Sequence, residues 1–441
     1  MALTATNFRR AALAAIALTL VAAPARAEVD PEVQYILNTF SFIINGALVM
    51  WMAAGFAMLE SGLARTKNVA TILLKNISLF AVAGITFYLV GYNLMYMNVD
   101  GGWIGSLAIW SQSDATGDAI VYEAGTYASA SDWFFQMVFV ATAASVVSGT
   151  VAERSKLWSF LLFVVLLTTI SYPITGSWVW GGGWLSEMGF VDFAGSTLVH
   201  AVGGWAALVG AIIIGPRIGK YSRDGRVNPM PGSNLALATL GTFVLWLGWF
   251  GFNGGSMLAL GTGADATGMA NVVANTSMAA AGGIVAAMIL SQLLYKKVDL
   301  TLALNGALAG LVSITAGPDT PSIGGAILIG AVGGVLASLT VPLLDKLKID
   351  DVVGAIPVHL VGGIWGTIAV PITNADASFG TQIVGIVAIG AFTAVFSAVA
   401  WLLIKFTVGV RVSEEVEHGG LDKAELGLEA YPEFGRGSQT L

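Results

Sequence analysis

STLVHAVGGW, residues 196–205, sets a histidine inside a run that otherwise reads as the wall of a membrane helix, and AIPVHLVGGIW, residues 355–365, repeats the phrase. The chain has 3 histidines in all, so two of them sit in near-copies of one apolar motif. Asp192, seven residues, then His200-Ala-Val-Gly-Gly matches Asp351, seven residues, then His359-Leu-Val-Gly-Gly. A second match links VMWMAAGF (49–56) to VLWLGWFGF (244–252). Two copies of one unit are the simplest source of such pairs.

Composition fixes the solvent. The chain is 56% hydrophobic and 11% charged, with 55 glycines in 441 residues, where soluble domains carry about 25% charged residues. That is the composition of a polytopic membrane protein. The net charge of −7 says little about partners until charges are placed by side, and with no cysteine there is neither a disulfide framework nor thiol chemistry. Arg9 and Arg10, the apolar stretch AALAAIALTLVAA and the small residues around Ala25-Arg26-Ala27 read as a signal peptide over residues 1–27. The mature chain is expected to begin near Glu28.

Eleven further apolar segments fit membrane spans: about 38–60, 69–95, 133–151, 158–180, 194–215, 233–256, 270–295, 301–316, 322–344, 352–371 and 382–408. With the mature N-terminus outside, the inner loops hold Arg65, Lys67, Arg154, Lys156, Arg217, Lys220, Arg223, Arg226, Lys296, Lys297, Lys346 and Lys348. The outer loops 96–132, 181–193, 257–269, 317–321 and 372–381 hold no Lys or Arg. This alternation obeys the positive-inside rule. The outer loops carry acids instead: Asp100, Asp114, Asp118, Glu123, Asp132, Glu187, Asp192, Asp265, Asp319 and Asp376. Such loops either concentrate cations at the outer mouth or merely follow from the side rule.

The expected fold is therefore all-α, with eleven transmembrane helices, N-terminus out and C-terminus in. Spans one to five and six to ten form the two copies. Five is odd, so the second copy is inverted, a transporter architecture with its site near midplane at the repeat interface. Each Asp lies at a membrane edge, and eight residues of helix carry the chain about 12 Å deeper. Both histidines then reach the centre of a ~30 Å core on antiparallel helices, where ionisable residues face the bundle interior and are paired. Two imidazoles in contact can share a proton. Two histidines without further ligands make a poor zinc site, so neither metal nor cofactor is expected.

The chain also carries the words FAMLESGLARTKN, FFQMVF, VAERSK, WVWGGGWL, DFAGSTLVHAVGG, WFGFNGGS, DDVVGAIPVH and TVGVRVSEE. Together they resemble the ammonium transporter family, which includes the Rh proteins, and its bacterial branch in particular, over nearly the whole mature length. The resemblance implies a homotrimer in the bacterial inner (plasma) membrane, one pore per subunit. It would take ammonium, ammonia and methylammonium, and a cytoplasmic PII-type signal protein would be its partner, with no nucleic acid. It further implies substrate recruitment by Trp180, Phe139 and Ser256, with Phe139 and Phe252 as a stacked pore gate. His200, His359 and Trp249 would line the pore, and Asp192 would act structurally and electrostatically beneath the recruitment site. Asp351 is its counterpart in the second copy.

Physical chemistry makes these roles sensible. A desolvated small cation gains about 0.5–2 kcal/mol over each aromatic face. Ammonium and potassium are similar in size, but Ser256 can reward an N–H donor that a metal ion lacks. An unpaired ion at midplane costs about 2.5–3.5 kcal/mol on insertion scales, so shedding the proton before the apolar stretch avoids that cost. The twin histidines would then line the path of ammonia or relay the released proton.

Other readings are an ammonium sensor signalling through its tail, an intramembrane Ser–His hydrolase and an Rh-like gas channel. The His–His pairing argues against the hydrolase, and a cation cage at Trp180 against the gas channel. Lys75, about one turn inside the inner edge, is read as snorkelling. Three parts result: a signal peptide (1–27), a transmembrane transporter domain (28–408) and a cytoplasmic regulatory tail (409–441). In that tail Leu426-Gly427-Leu428 replaces the family's His-Gly-Glu, which leaves its docking open.

Overall fold

The computed structural model describes residues 29–114 and 122–432. The expected signal peptide, Asp118 and the last residues of the tail lie outside the described residues. Among the described residues the fold is all-helical, with two isolated β-bridges, Ser155–Arg411 and Tyr221–Val227. Ten helices are long and apolar enough to cross a membrane, and a shorter apolar helix lies among them. In chain order they are α1 (Pro31–Leu63), α2 (Thr66–Tyr96), α3 (Ser129–Thr150), α4 (Leu157–Ser177), α5 (Ser196–Ile214) and α6 (Leu235–Gly255). Then follow α7 (Gly263–Tyr295), the short α8 (Leu300–Ile314), α9 (Ile323–Lys346), α10 (Ile356–Thr373) and α11 (Phe379–Thr407). At 1.5 Å per residue α8 is only about 22 Å long.

Every expected span falls on one helix, and the two largest departures are α1 and α7, which begin at Pro31 and Gly263 where hydropathy places residues 38 and 270. Asp30 caps α1 through the Glu32 N–H, and Pro31 follows in the first turn, where its missing N–H costs nothing. Thr262 and Asp265 form a capping box that starts α7 ahead of its apolar run. Polar end groups that hold the first N–H groups extend a helix past its greasy segment.

The side-chain distribution is inverted relative to a soluble protein. Phe40, Trp51, Phe243, Leu293, Val387 and Phe406 are exposed, whereas Glu60, Lys75, Asp192, His200 and His359 are buried. An apolar rim around a partly polar interior is what a hydrocarbon solvent selects.

The two histidine phrases fold alike. Gly195 and Gly354 take left-handed φ values of 106° and 81°, a conformation that suits glycine, and each ends an Asp-x-x-Gly turn that opens α5 or α10. Both helices begin as a π-helical stretch, Ser196–Ala201 and Ile356–Val361, and each stretch contains its histidine. Such widened turns are frequent at functional sites, although Phe87–Gly91, Leu167–Ser171 and Asp422–Leu426 form them elsewhere in this chain.

α5 and α10 run antiparallel. Thr197, near the start of α5, meets Thr367, late in α10, at 2.6 Å between hydroxyls. Arg217, just past α5, bonds Asp350, just before α10, at 2.8 Å. Their contact is reciprocal: a Cβ at Gly204 would stand 2.6 Å from the Leu360 nitrogen, and one at Gly363 would stand 3.2 Å from the Ala201 nitrogen. Each glycine four residues after a histidine thus makes room for the residue that follows the other histidine.

Candidate functional site: a file of rings ending on two histidines

The unbroken feature of the interior is a line of rings. Trp180 meets Phe139 edge-on at 6.1 Å between centroids. Phe139 stacks on Phe252 at 4.0 Å and 22°. Phe252 lies 5.3 Å from His200, which also stacks on Trp249 at 4.8 Å. The His200 and His359 rings are 5.2 Å apart, and Phe56 closes the file 6.0 Å beyond His359. The sequence pair VMWMAAGF and VLWLGWFGF contributes Phe56 to one histidine and Phe252 to the other.

The imidazoles touch through Nδ1 at 3.2 Å. One Nδ1 must donate and the other accept, so the donor ring has a bare Nε2 and the acceptor ring carries Nε2–H. His200 Nε2 is buried without a hydrogen-bond partner. Trp249 is fixed by its Nε1–H, which donates to Thr315 Oγ1 at 2.8 Å.

At the Trp180 end the loop before α5 is built on Asp192. Its Oδ1 accepts the N–H groups of Gly195 and Ser196 at 3.1 and 2.8 Å, and its Oδ2 accepts those of Thr197 and Leu198 at 2.9 and 2.8 Å. Its backbone carbonyl accepts Trp180 Nε1–H at 2.9 Å. One residue therefore anchors both the Trp180 indole and the helix bearing His200. Burial pushes its carboxyl up to about 6, against the pull of the four N–H groups. Ser256 caps α6, its hydroxyl donating to Phe252 O at 2.8 Å, which leaves its oxygen free to accept.

Asp351 repeats the arrangement less completely: Oδ1 accepts Gly354 N–H and the Thr150 hydroxyl, and Oδ2 accepts Ile356 N–H. It lines a cavity of about 380 Å³ together with Arg217, Lys220, Asp345 and Asn305. A small void of about 10 Å³, bordered by His359, Phe56, Glu60, Ser145 and Asn305, lies next to it, with Asn305, Val353 and Gly354 in both walls.

The tail closes over the same end. Asp422 accepts Ala70 N–H at 2.9 Å and both the N–H and hydroxyl of Thr71 at 2.8 Å, capping α2 from a distance in sequence. Lys67 Nζ donates to the carbonyls of Glu417 and His418, and Glu417 bonds Arg411 and the Ile218 N–H. Beneath it is a buried ion network: Arg217 donates to Asp350 and to Glu153 at 2.9 Å, and Arg65 also pairs with Glu153. Although burial opposes ionisation, Arg217 and the nearby Arg154 hold the Asp350 carboxyl well below the usual range.

A carboxyl whose folded pKa is depressed adds stability above its unfolded pKa of about 4 and loses it progressively as pH falls from there through the folded pKa. Asp350→Asn is accordingly expected to lower the melting temperature in detergent at pH 7, and the gap to the parent protein should narrow below about pH 4. A gap of equal size at pH 7 and pH 3.5 would contradict this assignment.

The model of the Ammonium Transporter Family matches residues 40–431. The chain belongs to the ammonium transporter family. It is 42% identical over 424 residues to the ammonium transporter Amt2 of Archaeoglobus fulgidus, covering 89% of this chain and 87% of that protein. A putative ammonium transporter of Synechocystis sp. is 40% identical over 403 residues, covering 90% and 89%. Among solved structures, a sensor Amt protein superposes with a TM-score of 0.83 at 36% identity, covering 90% of this chain and 99% of that one. Candida albicans Mep2 gives 0.76 at 26% identity, with 88% and 89% covered.

Within this ammonium transporter fold the structure brings Trp180, Phe139, Phe252, Trp249, His200 and His359 into one file and sets Ser256 against the Phe252 carbonyl, and it changes two readings. Lys75 does not snorkel: its Nζ is buried, donates to Ser155 Oγ at 2.6 Å and lies over the Phe160 ring. The VAERSK turn and the tail shield it from solvent. Nor do all the outer-loop acids face solvent: Asp132 is buried, accepting from Tyr92 and Gln136, and Asp192 is buried too. Sequence reasoning passed over Glu60, Glu153, Arg217 and Asp350 as site residues. The words FAMLESGLARTKN, VAERSK and DDVVGAIPVH contained three of them, but no spacing rule joins loops so far apart.

Proposed function

We propose that the chain conducts ammonium inward across a bacterial inner membrane. It recruits the cation at Trp180, Phe139 and Ser256, strips its proton and passes ammonia through an apolar pore lined by His200 and His359. The observation that carries this reading is the Nδ1–Nδ1 contact of 3.2 Å between two buried histidines at the far end of the ring file from Trp180. Methylammonium would use the same route. In this reading eleven spans cross the membrane, α8 included, with the N-terminus out and the C-terminus in. The first five and next five form an inverted repeat, and α11 is added. The chain works as a homotrimer whose docked tail answers a PII-type protein.

The steps follow from the residues. Trp180 and Phe139 offer ring faces worth about 0.5–2 kcal/mol each to a desolvated cation. Ser256 accepts an N–H that potassium cannot supply. Phe139 stacked on Phe252 leaves no path for a hydrated ion, so the cation sheds water and then its proton. The bare Nε2 of a His200 donating through Nδ1 takes up that proton. It gives its Nδ1 hydrogen to His359, which releases its own from Nε2.

The test is the current from purified protein in liposomes after ammonium jumps and matched potassium jumps. Current with ammonium alone is expected, and equal currents would sink the reading. A sensor reading is favoured by one observation, the seating of the tail on α2 through Asp422. Protein that binds ammonium yet carries neither current nor alkalinisation selects it.

A further inference from the structure

We propose that Glu60 is the proton-carrying residue on the tail side of the histidine pair, taking the proton from His359 and delivering it to the cavity lined by Asp351. This deepens the transport reading and rests on it. Glu60 sits on α1, one turn after Phe56, which faces His359. Its side chain is fully buried, and only one of its oxygens is engaged: Oε2 accepts Asn76 Nδ2–H and the Ser148 hydroxyl, both at 2.9 Å. Oε1 is buried without a partner. A buried carboxyl oxygen left open is costly to maintain and calls for a reason.

The open oxygen belongs to a residue that borders the same void as His359. At about 10 Å³ the void is close to the ~10–15 Å³ that one water needs. Asn305 and Gly354, in its wall, also line the 380 Å³ cavity beyond.

The step balances. The Nε2–H bond of His359 breaks, a bridging water passes the proton, and an O–H bond forms at Glu60. That bond then breaks toward water in the large cavity, where arriving ammonia takes the proton to become ammonium again. Ammonia and proton thus part at the rings and rejoin past Glu60.

The experiment uses full-length protein in liposomes, reading ammonium-driven current and internal pH together. Wild type is expected to give current with little alkalinisation. Glu60→Gln keeps the size and an acceptor for Asn76 and Ser148 but cannot carry a proton. It should lose the current by about tenfold or more while ammonia still enters, so alkalinisation exceeds that of protein-free liposomes. Glu60→Asp should restore part of the current. Ser145→Val, which fills the void and leaves Glu60 intact, should show the same split and carries the test should Glu60→Gln fail to fold. Wild-type current in both Glu60→Gln and Ser145→Val overturns the assignment, as does an equal fall of current and ammonia entry. A wild-type protein without ammonium current overturns the transport reading itself.

Discussion

Replacing both histidines of the proposed pore, His200→Ala with His359→Ala, is expected to erase the preference for ammonium over potassium. The two rings occupy the centre of the interior, in contact through Nδ1 at 3.2 Å and flanked by Phe252, Trp249 and Phe56. Without them no acceptor receives the ammonium proton, so the substrate would have to cross the apolar stretch as an ion. That costs about 2.5–3.5 kcal/mol on insertion scales, and each 1.36 kcal/mol is tenfold in rate. The selective current should fall by roughly 100-fold. With the Phe139–Phe252 stack intact both ions must still shed water, and without a proton acceptor both then face the same crossing cost, so potassium current should approach whatever ammonium current remains. A double variant with wild-type ammonium current and no potassium current would remove the histidines from the mechanism.

Asp192→Ala should have the second large effect, and through structure. Four backbone N–H groups at the start of α5 converge on its two oxygens. Each buried donor left without an acceptor costs about 1–3 kcal/mol, and even with partial rescue by water the sum is about 3–5 kcal/mol. In a detergent melt this should appear as a fall of roughly 3–5 °C. Transport should fall with it, because Trp180 and His200 both hang from this loop. Asp192→Asn should be nearly as harmful, since an amide turns an NH₂ toward two of the N–H groups it must accept. Wild-type melting and current in Asp192→Asn would show the loop to be held by something else.

How legible was this site? His200 and His359 were, because an ionisable residue in an apolar run stands out and its copy supplies a partner. The depth argument from Asp192 and Asp351 took all eight residues to each histidine as helix, whereas the helical turns begin only at Ser196 and Ile356 and each Asp holds the turn before them. The Phe139–Phe252 stack was legible only through resemblance: phenylalanines are common in spans, and nothing local says that residues on α3 and α6 face each other.

The ion network shows the opposite case. Arg217 and Asp350 are 133 residues apart, and Glu153 lies 64 from Arg217. In sequence each is one more loop charge, and the loop basics were absorbed by the side rule. Lys75 was misjudged for the same reason. Its distance from the membrane edge was readable, but the tail and VAERSK turn that shield it were not.

By itself the sequence determined the solvent, the number and order of apolar helices, the family, and the duplicated His phrase. These depend on composition, local periodicity and short words, which the chain carries wherever it folds. Only the tertiary structure decided which oxygens and nitrogens meet. It selected Nδ1 as the atom of contact, buried Lys75, left an oxygen of Glu60 unpartnered on a residue that borders the same void as His359, and folded Asp422 back onto the Ala70 and Thr71 N–H groups. Those outcomes depend on helix rotation and on the approach of segments hundreds of residues apart. Shifts of a few ångströms there make or break a hydrogen bond while leaving every local pattern unchanged.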